Sequence, residues 1–155
     1  MTITGKEKTM NFEELKQAMK ELNEQIDKIL DISGYDEYDS LEQYLEYTEN
    51  TPDTRQLLKE YGEIIYKLQD IQTLLNYLEK PYHIYTIKEN ESGRFEAANG
   101  YYYTCGSGIE FHTTDENGIG TWNISRVEAK NGRYYIVGFE DVEMEGLTVK
   151  IRELQ

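Results

Sequence analysis

The chain has 155 residues, with 30 Asp and Glu against 16 Lys and Arg, and a formal net charge of −14. The length fits one ordinary domain or two small ones. Because phosphate binding needs a clustered Lys/Arg surface, this charge argues against direct binding of nucleic acid or of an anionic membrane. The single cysteine and the lack of a stretch of roughly 20 apolar residues favour a cytoplasmic protein without a membrane span.

The N-terminal half is predicted to be helical. Residues 1–10 predict a flexible tail, and residues 11–80 a helical domain. An Asn11 N-cap with Glu14 three residues later predicts the start of the first helix, and Gly34 predicts its end. Between them, apolar residues recur every three or four positions and predict one continuous seam. The seam contains Phe12, Leu15, Met19, Leu22, Ile26 and Ile29.

A short linking helix is predicted to begin at Ser40, and a third helix to begin with Pro52 at its first position and to end at Lys80-Pro81. Close approach of a neighbouring helix is our explanation for Gly62 inside the third helix. The third helix has its own predicted apolar seam: Leu58, Tyr61, Ile65, Leu68, Ile71 or Gln72, Leu75 and Leu78. Two long helices with matching seams predict an antiparallel hairpin.

A two-helix hairpin leaves each helix half bare, so this hairpin should rest on something else. The C-terminal half of the same chain and a second copy of the chain are both candidates. Three-and-four spacing of this length also permits an intermolecular coiled coil, and therefore a homodimer through the helices.

Residues 81–155 predict a small antiparallel β domain, because nine of the twelve glycines lie after Pro81 and apolar residues alternate. Asn99-Gly100 and Asn131-Gly132 predict type I′ hairpin turns. The predicted strands cover residues 82–88, 94–98, 101–105, 109–114, 121–130, 133–139 and 147–152. The fold class is therefore α+β, a helical hairpin followed by a small antiparallel sheet or partly open barrel.

The segment between Lys28 and Arg55 is the strongest functional signal. It runs for 26 residues without Lys or Arg and carries eight carboxylates. A stretch of one sign repels itself unless solvent, salt or a basic partner screens it. The segment is either a solvated surface that keeps the protein soluble or a binding surface for a cationic partner. The interleaved tyrosines, a residue type favoured at interfaces, support the second interpretation. The expected partner-binding residues are Tyr35, Asp36, Glu37, Tyr38, Asp39, Glu42, Tyr44, Glu46, Tyr47 and Glu49.

An aromatic set in the β domain is a secondary candidate. Tyr102, Trp122 and Tyr134 could form a platform that stacks bases or grips a peptide, although such residues are more often core or cross-strand pairs.

No catalytic or metal-binding pattern is present. Cys105, His112 and Asp115 offer a nucleophile, a base and an orienting acid, but a small buried cysteine is far commoner than a catalytic one. Two histidines and one cysteine lack zinc-ligand spacing. We therefore expect no enzyme activity, no metal and no cofactor.

An ordered series of short motifs runs through the last 60 residues. It comprises Gly93-Arg94-Phe95, residues 101–110, Trp122, residues 125–128, residues 134–138, Glu145-Gly146-Leu147 and Ile151-Arg152. Over residues 93–152 this series resembles an uncharacterised small β domain found in mobile genetic elements of Gram-positive bacteria. The resemblance implies a β fold and a mobile-element setting in the host bacterial cytosol, and it transfers no catalytic residues.

Small acidic proteins of phages and mobile elements resemble inhibitors of host defence, of which anti-CRISPR proteins are an example. The expected function is therefore an anti-CRISPR-like inhibitor that binds a basic nucleic-acid-handling protein, such as a CRISPR effector nuclease, by mimicking DNA. The alternative is a non-catalytic assembly module of a mobile element, with a helical dimer and a peptide-binding β domain. An enzyme using Cys105 and His112 is a third hypothesis.

Overall fold

The structure, a computed structural model, describes residues 9–36, Leu41 and 50–153. The chain divides into two compact units, Met1–Glu79 and Lys80–Gln155. The first contains two helices and the second contains the strands, so the predicted α+β class is confirmed. The predicted linking helix and most of the acidic segment lie outside the described residues.

Helix α1 spans Phe12–Ser33, and both of its ends are formed by the predicted residues. The side chain of Asn11 accepts a hydrogen bond from the backbone N–H of Glu14 at 3.1 Å. At the other end Gly34 has a φ of 57°, and its N–H donates to the carbonyl of Leu30. Glycine adopts this left-handed conformation without the steric penalty of a Cβ, which is why it ends the helix.

Helix α2 spans Pro52–Glu79 and begins, as predicted, with proline in the first turn. The Thr51 hydroxyl accepts from the backbone N–H of Thr54 at 3.2 Å and caps this end. The explanation expected for Gly62 is wrong. Among the described residues, a Cβ built on Gly62 meets no atom within 4 Å, so α1 does not require a glycine there.

The two helices pair in antiparallel register. The Asn23 amide donates to Asn76 at 2.8 Å, and the Gln72 amide donates to Asp27 at 2.6 Å. Moving forward by one turn on α1 thus moves backward by one turn on α2. Both hydrogen bonds are exposed to solvent, so they show the register of the two helices but contribute little to fixing it, since a shifted amide could bond water instead.

That register leaves both helices overhanging. It places Glu79, the last residue of α2, opposite Lys20 in the third turn of α1, so Phe12, Leu15 and Met19 project past α2. At the other end, Pro52–Ile65 extends past the end of α1.

The apolar seam predicted for α2 combines two rows of residues. Leu58, Ile65 and Gln72 belong to the less exposed row, and Ile65 is buried. Tyr61, Ile71 and Leu78 belong to a second row that is exposed. At 100° per residue, Tyr61, Ile71 and Leu78 lie about 40°, 120° and 140° to one side of Ile65. The sequence pattern did not separate the two rows because α2 is apolar over a wider arc than one neighbouring helix covers.

The second unit contains a five-stranded antiparallel sheet with the order β1-β7-β4-β5-β6, and a separate pair β2-β3. The ranges are β1 Tyr82–Thr86, β2 Lys88–Glu89, β3 Phe95–Glu96, β4 Gly108–Thr114, β5 Gly120–Lys130, β6 Arg133–Ile136 and β7 Thr148–Arg152. The sheet is open, with β1 and β6 at its edges, and it does not close into a barrel. Of the two predicted forms, a small antiparallel sheet or a partly open barrel, the first describes this unit.

One predicted strand and one predicted turn type are wrong. Residues 101–105 form only an isolated bridge between Tyr102 and Glu96. At Asn99-Gly100 only the glycine has a positive φ, whereas a type I′ turn needs two positive values. At Asn131-Gly132 both residues have positive φ, 54° and 76°, and the predicted type I′ hairpin between β5 and β6 is confirmed.

One face of the sheet carries the core of this unit. Phe111, Val127, Ile136 and Val149 are fully buried there, and Phe139 packs its ring edge-to-face on Phe111 at 4.9 Å. The core cluster consists of Ile87, Ala97, Tyr103, Ile109, Phe111, Val127, Ile136, Met144, Leu147 and Val149. Burial of these side chains stabilises the unit, at roughly 1.5–3 kcal/mol for each large one.

Candidate protein-interaction surfaces

The acidic segment is described only in part. Tyr35 is half-buried and follows directly on the Gly34 cap, and Asp36 is exposed. Asp31 and Asp53, at the flanks of the segment, are exposed and form no ion pair with any described residue. The other expected partner-binding residues lie outside the described part of the chain: Glu37, Tyr38, Asp39, Glu42, Tyr44, Glu46, Tyr47 and Glu49.

The helices expose a second surface, which is apolar. The α1 seam is Phe12, Leu15, Met19, Leu22, Ile26 and Ile29. From here on, the α2 seam denotes a row that differs from the predicted one by having Leu57 and Ile64 in place of Leu58 and Ile65: Leu57, Tyr61, Ile64, Leu68, Ile71, Leu75 and Leu78. Ile26 is buried, and Leu68 and Leu75 are half-buried. The other ten residues of the two seams are 38% to 62% exposed. Large apolar side chains in such continuous rows are uncommon on the surface of a monomer.

In the β unit, a cluster of charged and aromatic side chains lies on the sheet face opposite the core. This outer-face cluster contains Tyr82, Glu110, His112, Trp122, Lys150 and Arg152. Strand register brings it together, because Tyr82 is opposite Arg152, Glu110 opposite Lys150, and His112 opposite Trp122. Residues directly opposite in neighbouring strands point to the same face.

An ion pair lies at the centre of the outer-face cluster. Arg152 donates from Nε to Oε1 of Glu110 at 2.9 Å and from Nη2 to Oε2 at 3.0 Å. The two side chains are only 7% and 3% exposed. Arg152 also donates from Nη1 to the Lys80 carbonyl at 2.9 Å. Bidentate geometry and further hydrogen bonds offset the desolvation of a buried ion pair.

The Lys150 ammonium lies between two aromatic rings. Its Nζ is 4.3 Å from the ring centroid of Tyr82 and 4.5 Å from that of Trp122. Both distances are within cation–π range. The Trp122 ring also meets His112 edge-to-face at 5.2 Å. This arrangement fixes the aromatic side chains around a cation that the chain itself supplies.

The expected aromatic platform does not lie on one surface. Trp122 is on the outer face of the sheet, whereas Tyr134 pairs with Ala129 and packs against the core on the other face. Tyr102 is exposed beside Arg94, whose guanidinium carbon is 5.2 Å from its ring centroid. Binding by any one of these residues stays a prediction, but the three rings cannot stack one ligand together.

The Cys105, His112 and Asp115 hypothesis gains no support from the geometry. Cys105 is exposed in a turn, so the expectation of a small buried cysteine is wrong. Asp115 accepts hydrogen bonds from the backbone N–H groups of Asn117 and Ile119 and so orders its own turn. In the described part of the chain, no three His, Cys, Asp or Glu side chains converge as metal ligands would.

Sequence reasoning missed the Glu110–Arg152 pair and the position of Lys150. The available signal was a glutamate between Ile109 and Phe111, two residues that are buried in the core. Recognising it required the pairing of β4 with β7, which no local pattern gives.

Comparison with known proteins gave one finding. Residues 85–151 match the family model of a domain of unknown function, DUF5348. The match lies inside the second unit and agrees with the expected resemblance of residues 93–152 to an uncharacterised small domain. No curated protein and no solved structure matched the chain. Within residues 9–36, 41 and 50–153, neither helix contains an 18-residue window apolar enough to cross a bilayer. Residues 85–151 are thus similar to DUF5348.

Proposed function

We propose that this protein is a non-catalytic inhibitor that binds a basic nucleic-acid-handling protein through its acidic segment, residues 29–54. The observation that carries the proposal is the eight carboxylates in 26 residues without one Lys or Arg. No other segment of comparable length in the chain has this character.

Charge distribution supports a specific surface rather than general solubility. The α1 range carries six acids and three bases and the α2 range five acids and three bases, so both helices are mixed in sign. The segment 29–54 alone supplies −8 of the formal −14. Asp31 and Asp53 are exposed and not paired with a described base, as a surface that meets an external cation requires.

The chemistry of the partner follows from this charge. Duplex DNA presents one negative charge per roughly 1.7 Å of helix axis, and proteins that bind it line a groove with Lys and Arg. A dense row of carboxylates occupies such a groove by the same attraction. We propose a CRISPR effector nuclease as the partner, in keeping with the inhibitor class that the chain resembles in size and charge.

Competition with DNA tests the proposal. Purified guide-loaded effector nucleases are mixed with fluorescently labelled target DNA, and DNA binding is followed by anisotropy as the protein is added. We expect release of DNA from at least one effector, weakened as salt is raised because screening shortens the range of the attraction. In the test variant, six acids become Asn or Gln: Asp36, Glu37, Asp39, Glu42, Glu46 and Glu49. Its inhibition should fall by about tenfold or more, since charge complementarity drives the association.

A matched control removes the same charge elsewhere. It neutralises six carboxylates that are exposed and form no hydrogen bond or ion pair with a described residue: Glu24, Asp70, Glu91, Glu116, Asp141 and Glu143. The control variant should inhibit nearly as well as the wild type. Equal losses in both variants would show that net charge alone acts, and full inhibition by the test variant would remove the segment from the mechanism.

A further inference from the structure

We infer that the apolar face of the helical hairpin binds the same face of a second copy of this chain, forming a four-helix bundle. This inference is independent of the proposed function. It rests on the α1 and α2 seams, not on the acidic segment.

The first argument is periodicity. The α1 and α2 seams together occupy thirteen positions at alternating spacings of three and four, and none of them is charged. Such spacing produces a stripe along one side of a helix that matches the stripe of another helix. Ile26 is the one fully buried residue of the α1 seam, so α2 covers only part of it.

The second argument is the direction of the two seams. At 100° per residue, Leu15, Leu22 and Ile29 lie about 40–80° to one side of the midpoint between Ile26 and Leu30, and the exposed α2 seam residues lie about 40–140° to one side of the buried Ile65. Phe12 and Met19 lie near the α1 midpoint itself and are exposed because α1 extends past the end of α2 there. Because the helices are antiparallel, these rotations bring both exposed rows to the same side of the hairpin. The hairpin thus presents one apolar face, built from both helices, rather than two unrelated stripes.

The third argument is area. The ten exposed seam residues retain 38% to 62% of their surface. At roughly 100 Å² each they expose on the order of 1000 Å², against about 800 Å² per partner in a standard protein–protein interface. A face of this size is sufficient for a stable dimer.

A second copy fits this face better than a partner of other chemistry. The face is apolar on both helices, so its complement must be an equally long apolar helical surface, and the chain itself supplies one. In a two-fold dimer the apolar patch of each copy covers that of the other, so the assembly is closed and no further copy is added. The helices are also far less acidic than the connection between them, so repulsion between copies is weak along the seam.

Sedimentation equilibrium of the full chain tests the inference. We expect a mass of twice the 18.2 kDa of one chain. Added salt should strengthen the dimer by screening two chains of like charge, the opposite of its effect on binding to a basic partner. A monomer at every concentration, which would result if the face were covered within the chain or reserved for another protein, would overturn the inference. A mass above the dimer would do the same.

Variants locate the interface. Ile64→Gln with Ile71→Gln alters two exposed residues of the α2 seam, and the dimer should dissociate at least about 100-fold more readily, since four apolar contacts are lost per dimer. Leu15→Gln with Leu22→Gln does the same on the α1 seam. In the control, Ile32→Gln with Tyr66→Gln changes two residues that are 88% and 50% exposed but lie outside both seams. The control should dimerise like the wild type.

Circular dichroism at 222 nm confirms that each variant keeps its helices. If one seam variant loses its helices, the mass of the other seam variant tests the interface. If both variants lose their helices, the mass of the wild type alone tests the inference. A seam variant that folds and dimerises normally contradicts the inference. The variant with six neutralised acids should still dimerise, so failure of the proposed function and failure of this inference give different results.

Discussion

The buried ion pair between Glu110 and Arg152 should dominate the stability of the β unit. Arg152→Met removes two hydrogen bonds to Glu110 and one to the Lys80 carbonyl, and it leaves a carboxylate that is 3% exposed without its cation. Loss of one partner from a buried pair costs about 3–5 kcal/mol. Lys80–Gln155 spans 76 residues, for which a total stability of roughly 4–11 kcal/mol is typical.

Urea denaturation measures this loss selectively. The chain has a single tryptophan, Trp122, which lies in the outer-face cluster, so its fluorescence reports on the β unit alone. Circular dichroism at 222 nm follows the helices in the same samples. We expect Arg152→Met to lower the fluorescence midpoint strongly and to leave the helical transition nearly unchanged.

Two further variants complete the experiment. Glu110→Leu with Arg152→Met should be more stable than Arg152→Met alone, because replacing both charges with apolar groups removes the buried carboxylate that has lost its arginine. Arg126→Met breaks a 3.3 Å pair with Glu128 whose side chains are 61% and 34% exposed, and should cost no more than about 0.5 kcal/mol. A cost below about 1 kcal/mol for Arg152→Met, or a double variant as unstable as the sum of its single changes, would refute the reasoning.

Three other predictions concern glycine and asparagine positions. Gly62→Ala should stabilise the helical unit by about 0.5–1 kcal/mol, since a Cβ meets open space there, and a lowered thermal midpoint at 222 nm would contradict this. Asn131→Val should destabilise the β unit by about 1–2 kcal/mol while Asn131→Gly stays near neutral, because φ is 54°; equal urea midpoints for the two would exclude the type I′ turn. Gly120→Ala places a Cβ against the His112 ring, so the ring must move, with altered Trp122 emission and a loss of about 1 kcal/mol or more; unchanged emission and stability would argue against this contact.

The ends of the helices were predictable because each is set by one or two local residues. Asn11 and Gly34 act within one turn of themselves, through a side-chain acceptor and a left-handed backbone. The type I′ turn at Asn131-Gly132 is local in the same way. Such features do not depend on contacts with residues that are distant in the sequence.

Pairing between distant strands was not predictable, and the candidate surfaces depend on it. Residues 101–105 have only the short β3 as a neighbour, where Tyr102 bridges Glu96, because β4 already has β5 on one side and β7 on the other. The outer-face cluster forms only because the last strand inserts between β1 and β4. The exposed α2 seam was hidden for a related reason, since an apolar arc on a helix does not say how much of it a neighbour covers.

The edge of the sheet where β1 joins β7 has a consequence for how this unit can be combined with others. Tyr82 lies directly opposite Arg152, and the N–H of Glu153 donates to the Pro81 carbonyl at 2.9 Å, so the polypeptide enters and leaves at adjacent points. A domain whose first and last residues lie close together can be inserted into a surface loop of another protein without distorting the backbone of either protein. Recombination could therefore transplant the β unit as a cassette and exchange the helices attached to it.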